Sequence, residues 1–206
     1  MNGVKGAIVL GLVLISALIA GWWISPPGPD QQLKDASGVE MFNGGQLTNL
    51  AFINEYGAPA ELNQLKGRWT LMFFGYTYCP DICPMTLMHL SKLMKRLSDA
   101  ERAQLNVVLV SVDPERDKPD NMSQYMDYFN PDFMALTGNP DNMKKLASRL
   151  NAFYARVDRD DGGYLMDHSA NIVLLDPELT YRGYIEPPHD PSRMAPLVRA
   201  LLALPE

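Results

Sequence analysis

Cys79 and Cys83 are the only two cysteines among 206 residues, and they stand together in Gly75-Tyr76-Thr77-Tyr78-Cys79-Pro80-Asp81-Ile82-Cys83-Pro84. The thiolate is the form that binds metals and attacks disulfides, and a helix N-terminus favours it by placing free backbone N–H groups beside the sulfur. Pro84 marks such a start. Proline fits the first turn of a helix, where its missing N–H has no partner, and disrupts the interior. The regular helix is therefore expected to begin near Cys83, with both sulfurs at its positive end and Asp81 opposing them mildly. Three residues separate the cysteines, one more than in a dithiol oxidoreductase of the thioredoxin type. The wider spacing lets two thiolates take a cation from two sides, while a Cys79–Cys83 disulfide stays geometrically open. A structural disulfide or inert thiols are the plain alternatives, and a strand end flanked by prolines is an odd place for either.

Two thiolates suit a soft ion, Cu(I) or Zn(II). Structural zinc takes four Cys, His or carboxylate ligands, against two cysteines and three histidines here. A site of low coordination with two sulfurs and one imidazole suits copper better. His168 is the candidate third ligand. It lies in Met166-Asp167-His168-Ser169, after the Gly162-Gly163 loop and just before the apolar run Asn171 to Leu175. Asp167 is placed to orient its ring or to add negative charge; a hydrogen-bonded structural histidine is the alternative. His89 follows Cys83 by six residues, about 240° around a helix, and faces elsewhere. His189, in Pro187-Pro188-His189-Asp190, reads as a solvated loop residue. Met85, Met88 and Met94 recur at helical spacing and read as core rather than as a thioether site. Asp113, at the end of a central strand, is where an α/β sheet places functional groups, and it could equally cap the turn that follows.

The surrounding pattern must position these groups. Arg68 to Phe74 is apolar and aromatic, as in a strand buried on both faces, and Met85 to Leu97 recur near helical spacing to about Ser98. Asn106 to Val112 is β-branched and reads as a second central strand. Asp120 offers a cap to a helix through Phe129, Phe133 to Leu136 a short strand, and Asn139-Pro140 the start of a helix to about Leu150. Phe153 to Val157 and Tyr164 to Met166 flank the turn Asp158 to Gly163. Asn171 to Leu175 and Thr180 to Ile185 flank Asp176-Pro177-Glu178, the mark of an antiparallel hairpin, and Pro191 to Leu204 closes the chain as a helix. Short patches at Met41-Phe42 and Leu50 to Ile53 read as strands or a hairpin beside the main core. The order predicts an α/β fold: a thioredoxin-like mixed sheet flanked by helices, with an inserted strand and helix.

The N-terminus bears on compartment. Ala7 to Ile24 is uncharged, lacks proline and spans eighteen residues, about 27 Å as a helix and near the thickness of a bilayer core. Lys5 precedes it, and Trp22 and Trp23 sit where an interfacial aromatic belt lies. Cleavage after Ala20 or Gly21 would put Leu18 or Ile19 where signal peptidase prefers a small residue, so the run reads as one uncleaved transmembrane helix. Residues 1–24 are expected to anchor the chain, 25–40 to form a stiff linker and 41–206 to form the domain. This organisation implies a single-pass protein of a bacterial inner membrane with its soluble domain in the periplasm. A net charge of −6 without a Lys/Arg stripe argues against nucleic-acid partners.

The motifs GYTYCPDICP, VSVDPERDKP and DHSANIVLLDP, in that order, resemble those of the Sco/SenC family, copper-delivery proteins with a thioredoxin-like fold. The resemblance runs from about Leu65 through Leu204, and a single N-terminal membrane helix is typical of that family. It implies that Cys79, Cys83 and His168 bind one copper ion, as Cu(I) or Cu(II). It also implies a role in assembling the binuclear copper centre of cytochrome c oxidase, with that centre's subunit as the receiving partner and a copper donor or thiol reductant as further partners. Asp113 matches the family's VDP aspartate, and Asp167 the residue before the ligand histidine. Tyr78 stands where many relatives carry histidine, which leaves no fourth nitrogen ligand there. Such a protein is a chaperone more than an enzyme. The competing reading is a periplasmic thiol–disulfide reductase that keeps target cysteines reduced for metallation. A peroxiredoxin-like peroxidase is a weaker third, since no activating arginine pattern surrounds Cys79.

Overall fold

A computed structural model describes residues 38–204; the run Ala7–Ile24 expected to cross a membrane lies outside them. Among the described residues no helix is long and apolar enough to do so. The architecture is one sheet of eight strands. In chain order these are β1 (Val39–Met41), β2 (Ala51–Asn54), β3 (Pro59–Glu61), β4 (Trp69–Gly75), β5 (Leu105–Ser111), β6 (Met134–Thr137), β9 (Ile172–Leu175) and β10 (Tyr181–Ile185), with β7 (Tyr154–Asp158) and β8 (Tyr164–His168) paired apart from them. The spatial order is β1-β10-β9-β4-β5-β6-β2-β3. Strands β4, β5 and β6 run parallel, whereas β9 joins β4 antiparallel. The sheet is therefore mixed, and every residue of β4 and β5 is buried, as their apolar runs require.

The side chains of β4 and β5 alternate between two cores. Leu71, Phe73, Val107 and Leu109 meet helices α1 (Ile82–Met94), α3 (Pro119–Phe129) and α5 (Pro191–Leu202) on one face. Met72, Phe74, Val108 and Val110 meet α4 (Pro140–Arg149) and the short 3-10 turn Leu62–Leu65 on the other. The helix expected to about Ser98 ends a turn earlier, and a separate short helix follows it. α1 ends at Met94, and Ser98 then caps α2 (Asp99–Arg102) in a reciprocal capping box with Glu101.

Several expectations are corrected. Val39 and Glu40, read as linker, belong to β1, which pairs with β10. The patches of the N-terminal region lie in the sheet itself, not beside it: β1 forms one edge, and β2 and β3 extend the other through β6. Asp120 does not cap α3. Lys118 holds the cap position and its N–H donates to Asn121 Oδ1 at 2.7 Å, which places Asp120 inside the first turn. Met94 is core, but Met85 and Met88 are exposed, because α1 turns that flank away from the sheet.

Candidate metal centre

The first turn of α1 begins where β4 ends. Gly75, the last residue of β4, has no side chain for a physical reason: a Cβ there would lie 2.6 Å from Cys83 Sγ and 3.0 Å from Leu109 Cδ1. Only glycine lets the helix start this close to the strand. Pro84 occupies the third helical position, still within the turn whose N–H groups lack intrahelical partners. Cys83 is nearly enclosed, at 1% exposure, and Cys79 opens slightly to a cleft, at 9%; both are free thiols. Cys79 N–H donates to the Tyr76 carbonyl at 3.2 Å, which turns the loop back onto the strand end.

Asp117 pins that loop from beneath. Its carboxylate accepts from the Thr77 hydroxyl at 2.6 Å, the Thr77 N–H at 3.1 Å and the Ser111 hydroxyl at 2.6 Å. Burial pushes the Asp117 carboxyl up, and these donors hold it down only in part. It was not singled out in the sequence, where its one signal was a second aspartate four residues after Asp113 in the loop that follows a buried strand.

His168 arrives from a different element. It ends β8, paired with Tyr154 of β7, and the base of that hairpin is closed by Ser169 N–H to the Phe153 carbonyl at 2.9 Å and Phe153 N–H to Ser169 Oγ at 2.8 Å. His168 Nε2 lies 3.4 Å from Cys83 Sγ, and the two sulfurs and a ring nitrogen all fall within 4.8 Å of one another. The other ring nitrogen, Nδ1, lies 3.1 Å from the Ser169 carbonyl. That carbonyl, rather than a carboxylate, sets the ring's orientation. Asp167 is exposed one position away and contributes charge, which favours the protonated ring. Tyr76, buried, stands edge-on to the imidazole with centroids 5.9 Å apart.

Asp113 sits behind this layer, at 2% exposure. It accepts from Arg116 Nε and, at 2.8 Å, from the Tyr164 hydroxyl. The Arg116 guanidinium stacks on the Tyr164 ring at 3.6 Å and donates to the Tyr164 carbonyl at 3.0 Å. Asp113 thus ties the loop after β5 to the hairpin that carries His168, without reaching the sulfurs itself. Asp113→Asn is expected to cost about 1–3 kcal/mol by leaving Arg116 without its carboxylate. Thermal unfolding reads this directly, and an unchanged melting temperature would remove the network from the support of His168.

His189 is corrected. It is buried, at 3% exposure, with Nδ1 3.3 Å from the Thr86 hydroxyl, because α5 packs its start against α1. Burial lowers its pKa. His89 is half-buried on α1 and outside the cluster.

The electrostatics of the two thiols diverge. The Cys83 thiol donating to it, the hydrogen bond with His168 and the N–H groups of Asp81 and Cys83 outweigh burial and bring Cys79 down to about 4. Cys83 is pushed up, first by that hydrogen bond to Cys79 and then by its burial. Burial opposes charge on His168, but its hydrogen bonds to Cys79 and the Ser169 carbonyl prevail, and its pKa is raised. The metal-free site is thus a thiolate facing an imidazole that favours its protonated form, with a second thiol in reserve: three soft or borderline donors, ready to exchange protons for a cation.

Such a trio on a thioredoxin-like sheet defines a metal-binding protein of that fold. Residues 46–203 match the family model described as SCO1/SenC, and the chain belongs to that family. It is similar over 201 residues, at 34% identity, to the SCO2-like protein of Rickettsia conorii, covering 96% of this chain and 97% of that one. The structure of Bradyrhizobium japonicum ScoI with copper bound superposes with a TM-score of 0.68 at 31% identity, covering 75% of this chain and 98% of the other. BsSco, a Sco protein of cytochrome c oxidase assembly in which a disulfide switch was identified, gives 0.59 at 26% identity, covering 81% and 98%.

Proposed function

We propose that this protein is a copper chaperone that takes one copper ion between Cys79, Cys83 and His168 and delivers it to the binuclear copper centre of cytochrome c oxidase. The observation that carries the reading is the convergence of two sulfurs and one imidazole nitrogen within 4.8 Å, on the fold of a family with a copper-bound member. Two thiolates and one imidazole satisfy Cu(I) at low coordination, and the nitrogen adds a donor suited to Cu(II). Release proceeds by ligand exchange: incoming thiolates of the receiving subunit replace Cys79, the donor nearer the cleft, and then Cys83. An N-terminal membrane anchor with the domain in the periplasm is part of the same proposal. It rests on the apolar run Ala7–Ile24 and places the site on the side where the oxidase centre is assembled.

The test is a titration of the reduced full chain in detergent with Cu(I), against a chromophoric chelator, and with Cu(II). One copper per chain is expected in each state, followed by transfer to the copper-free receiving domain of the oxidase subunit. A chain that takes no copper but reduces a disulfide peptide establishes the competing reading instead, in which Cys79 attacks and Cys83 resolves. The lowered pKa of Cys79 and its closeness to Cys83 favour that chemistry too.

A further inference from the structure

Beside the metal cleft, α1 and the end of α3 enclose an open groove of about 460 Å³ lined by Pro84, Met85, Met88, Tyr128 and Phe129. Its floor is set by Ser91, whose hydroxyl donates to the Phe129 carbonyl at 2.9 Å and locks the two helices together. Met85, Met88 and Tyr128 are 45%, 39% and 84% exposed, although a helix flank of this composition is ordinarily buried. Lys92 and Lys95 complete the wall, and among the described residues neither side-chain ammonium has a hydrogen-bonding or ion-pair partner. The groove begins at Pro84, the residue after the Cys83 ligand, and follows α1 to Lys95, about 17 Å along the helix.

We infer that this groove docks the copper-receiving protein, through an acidic segment bearing apolar anchor side chains. The inference rests on the chaperone reading above and names the chemistry of its partner. Flexible thioethers adapt to an apolar anchor without a fixed shape. Two unpaired lysines in a chain whose net charge is −6 mark a local reversal of sign that attracts an acidic surface and orients it. A second copy of this chain fits less well, because a two-fold contact through the groove would bring lysines against lysines. A partner seated there has its own thiols within reach of Cys79 and Cys83 as the metal is exchanged.

The experiment follows copper transfer from the loaded full chain to the copper-free receiving domain of the oxidase subunit by stopped flow at several salt concentrations. Lys92→Glu with Lys95→Glu, and separately Met85→Ser with Met88→Ser, are compared with the natural chain. Each variant is expected to bind one copper and to yield it to a small chelator at the natural rate. Transfer to the protein is expected to slow about tenfold or more at low salt in the charge-reversed chain and to lose its salt dependence. Natural rates and salt dependence in both variants would overturn the groove while leaving delivery intact. A natural chain that holds copper and never yields it to the domain overturns delivery, and the groove's role with it. A concentration-dependent dimer abolished by the same substitutions assigns the groove to a second copy and overturns the inference.

Discussion

His168→Ala is expected to weaken Cu(II) binding by about 100-fold or more, beyond the 10–100-fold that loss of a group merely supporting a ligand typically costs. The two sulfurs alone satisfy Cu(I), whereas Cu(II) requires harder nitrogen donors. The same substitution should therefore leave Cu(I) affinity far less changed, and the ratio of the two effects is the diagnostic quantity. Nε2 is 3.4 Å from Cys83 Sγ and its ring is held by the Ser169 carbonyl, so the variant removes a donor already in place. Competition titration with visible and paramagnetic resonance spectra reads both oxidation states. Equal and small losses in both would exclude the imidazole from the site.

The second large effect separates the thiols. At pH 6 in the copper-free reduced chain, Cys79 is expected to react with iodoacetamide about 100-fold faster than Cys83, because the thiolate is the attacking form. The direction follows from the shifts: Cys79, lowered to about 4, stays ionised above that value and loses its reactivity only as pH falls through it, while Cys83 is raised and stays protonated. His168, also raised, keeps its proton to higher pH than a free imidazole. Loading the site displaces protons from Cys83 and His168, so copper affinity must rise with pH through neutrality. Mass spectrometry of alkylated peptides decides the order; equal rates, or Cys83 first, would overturn this assignment of charge.

The gathering of the three donors was legible because it rests on rare residues. Two cysteines either side of a turn, a proline that dates the helix start, and one histidine before a buried strand were enough to bring three donors together. The central strands were legible for a different reason: β4 and β5 are buried on both faces, and an apolar run says so directly. What failed depended on contacts distant in sequence. Nothing near Pro187-Pro188-His189 announces that Thr86 lies across from it, and the exposure of Met85 and Met88 is set by which side of α1 the sheet covers. Strands β2 and β3, of four and three residues, are too short to declare that they extend the sheet through β6. The imidazole's anchor escaped notice because a backbone carbonyl has no sequence signature, while the neighbouring Asp167 has an obvious one.

The hairpin β7–β8 contains no fully buried residue, and its strands pair only with each other. Two donors thus lie between a fully buried strand and the helix that follows it, and the third in a segment expected to open in small, local events. A bound ion between Cys83 and His168 cross-links those two regimes. Loading should then appear as protection in the Tyr154–His168 amides that far exceeds any change in β4 or β5, and unloading as the return of a local fluctuation rather than a change of fold.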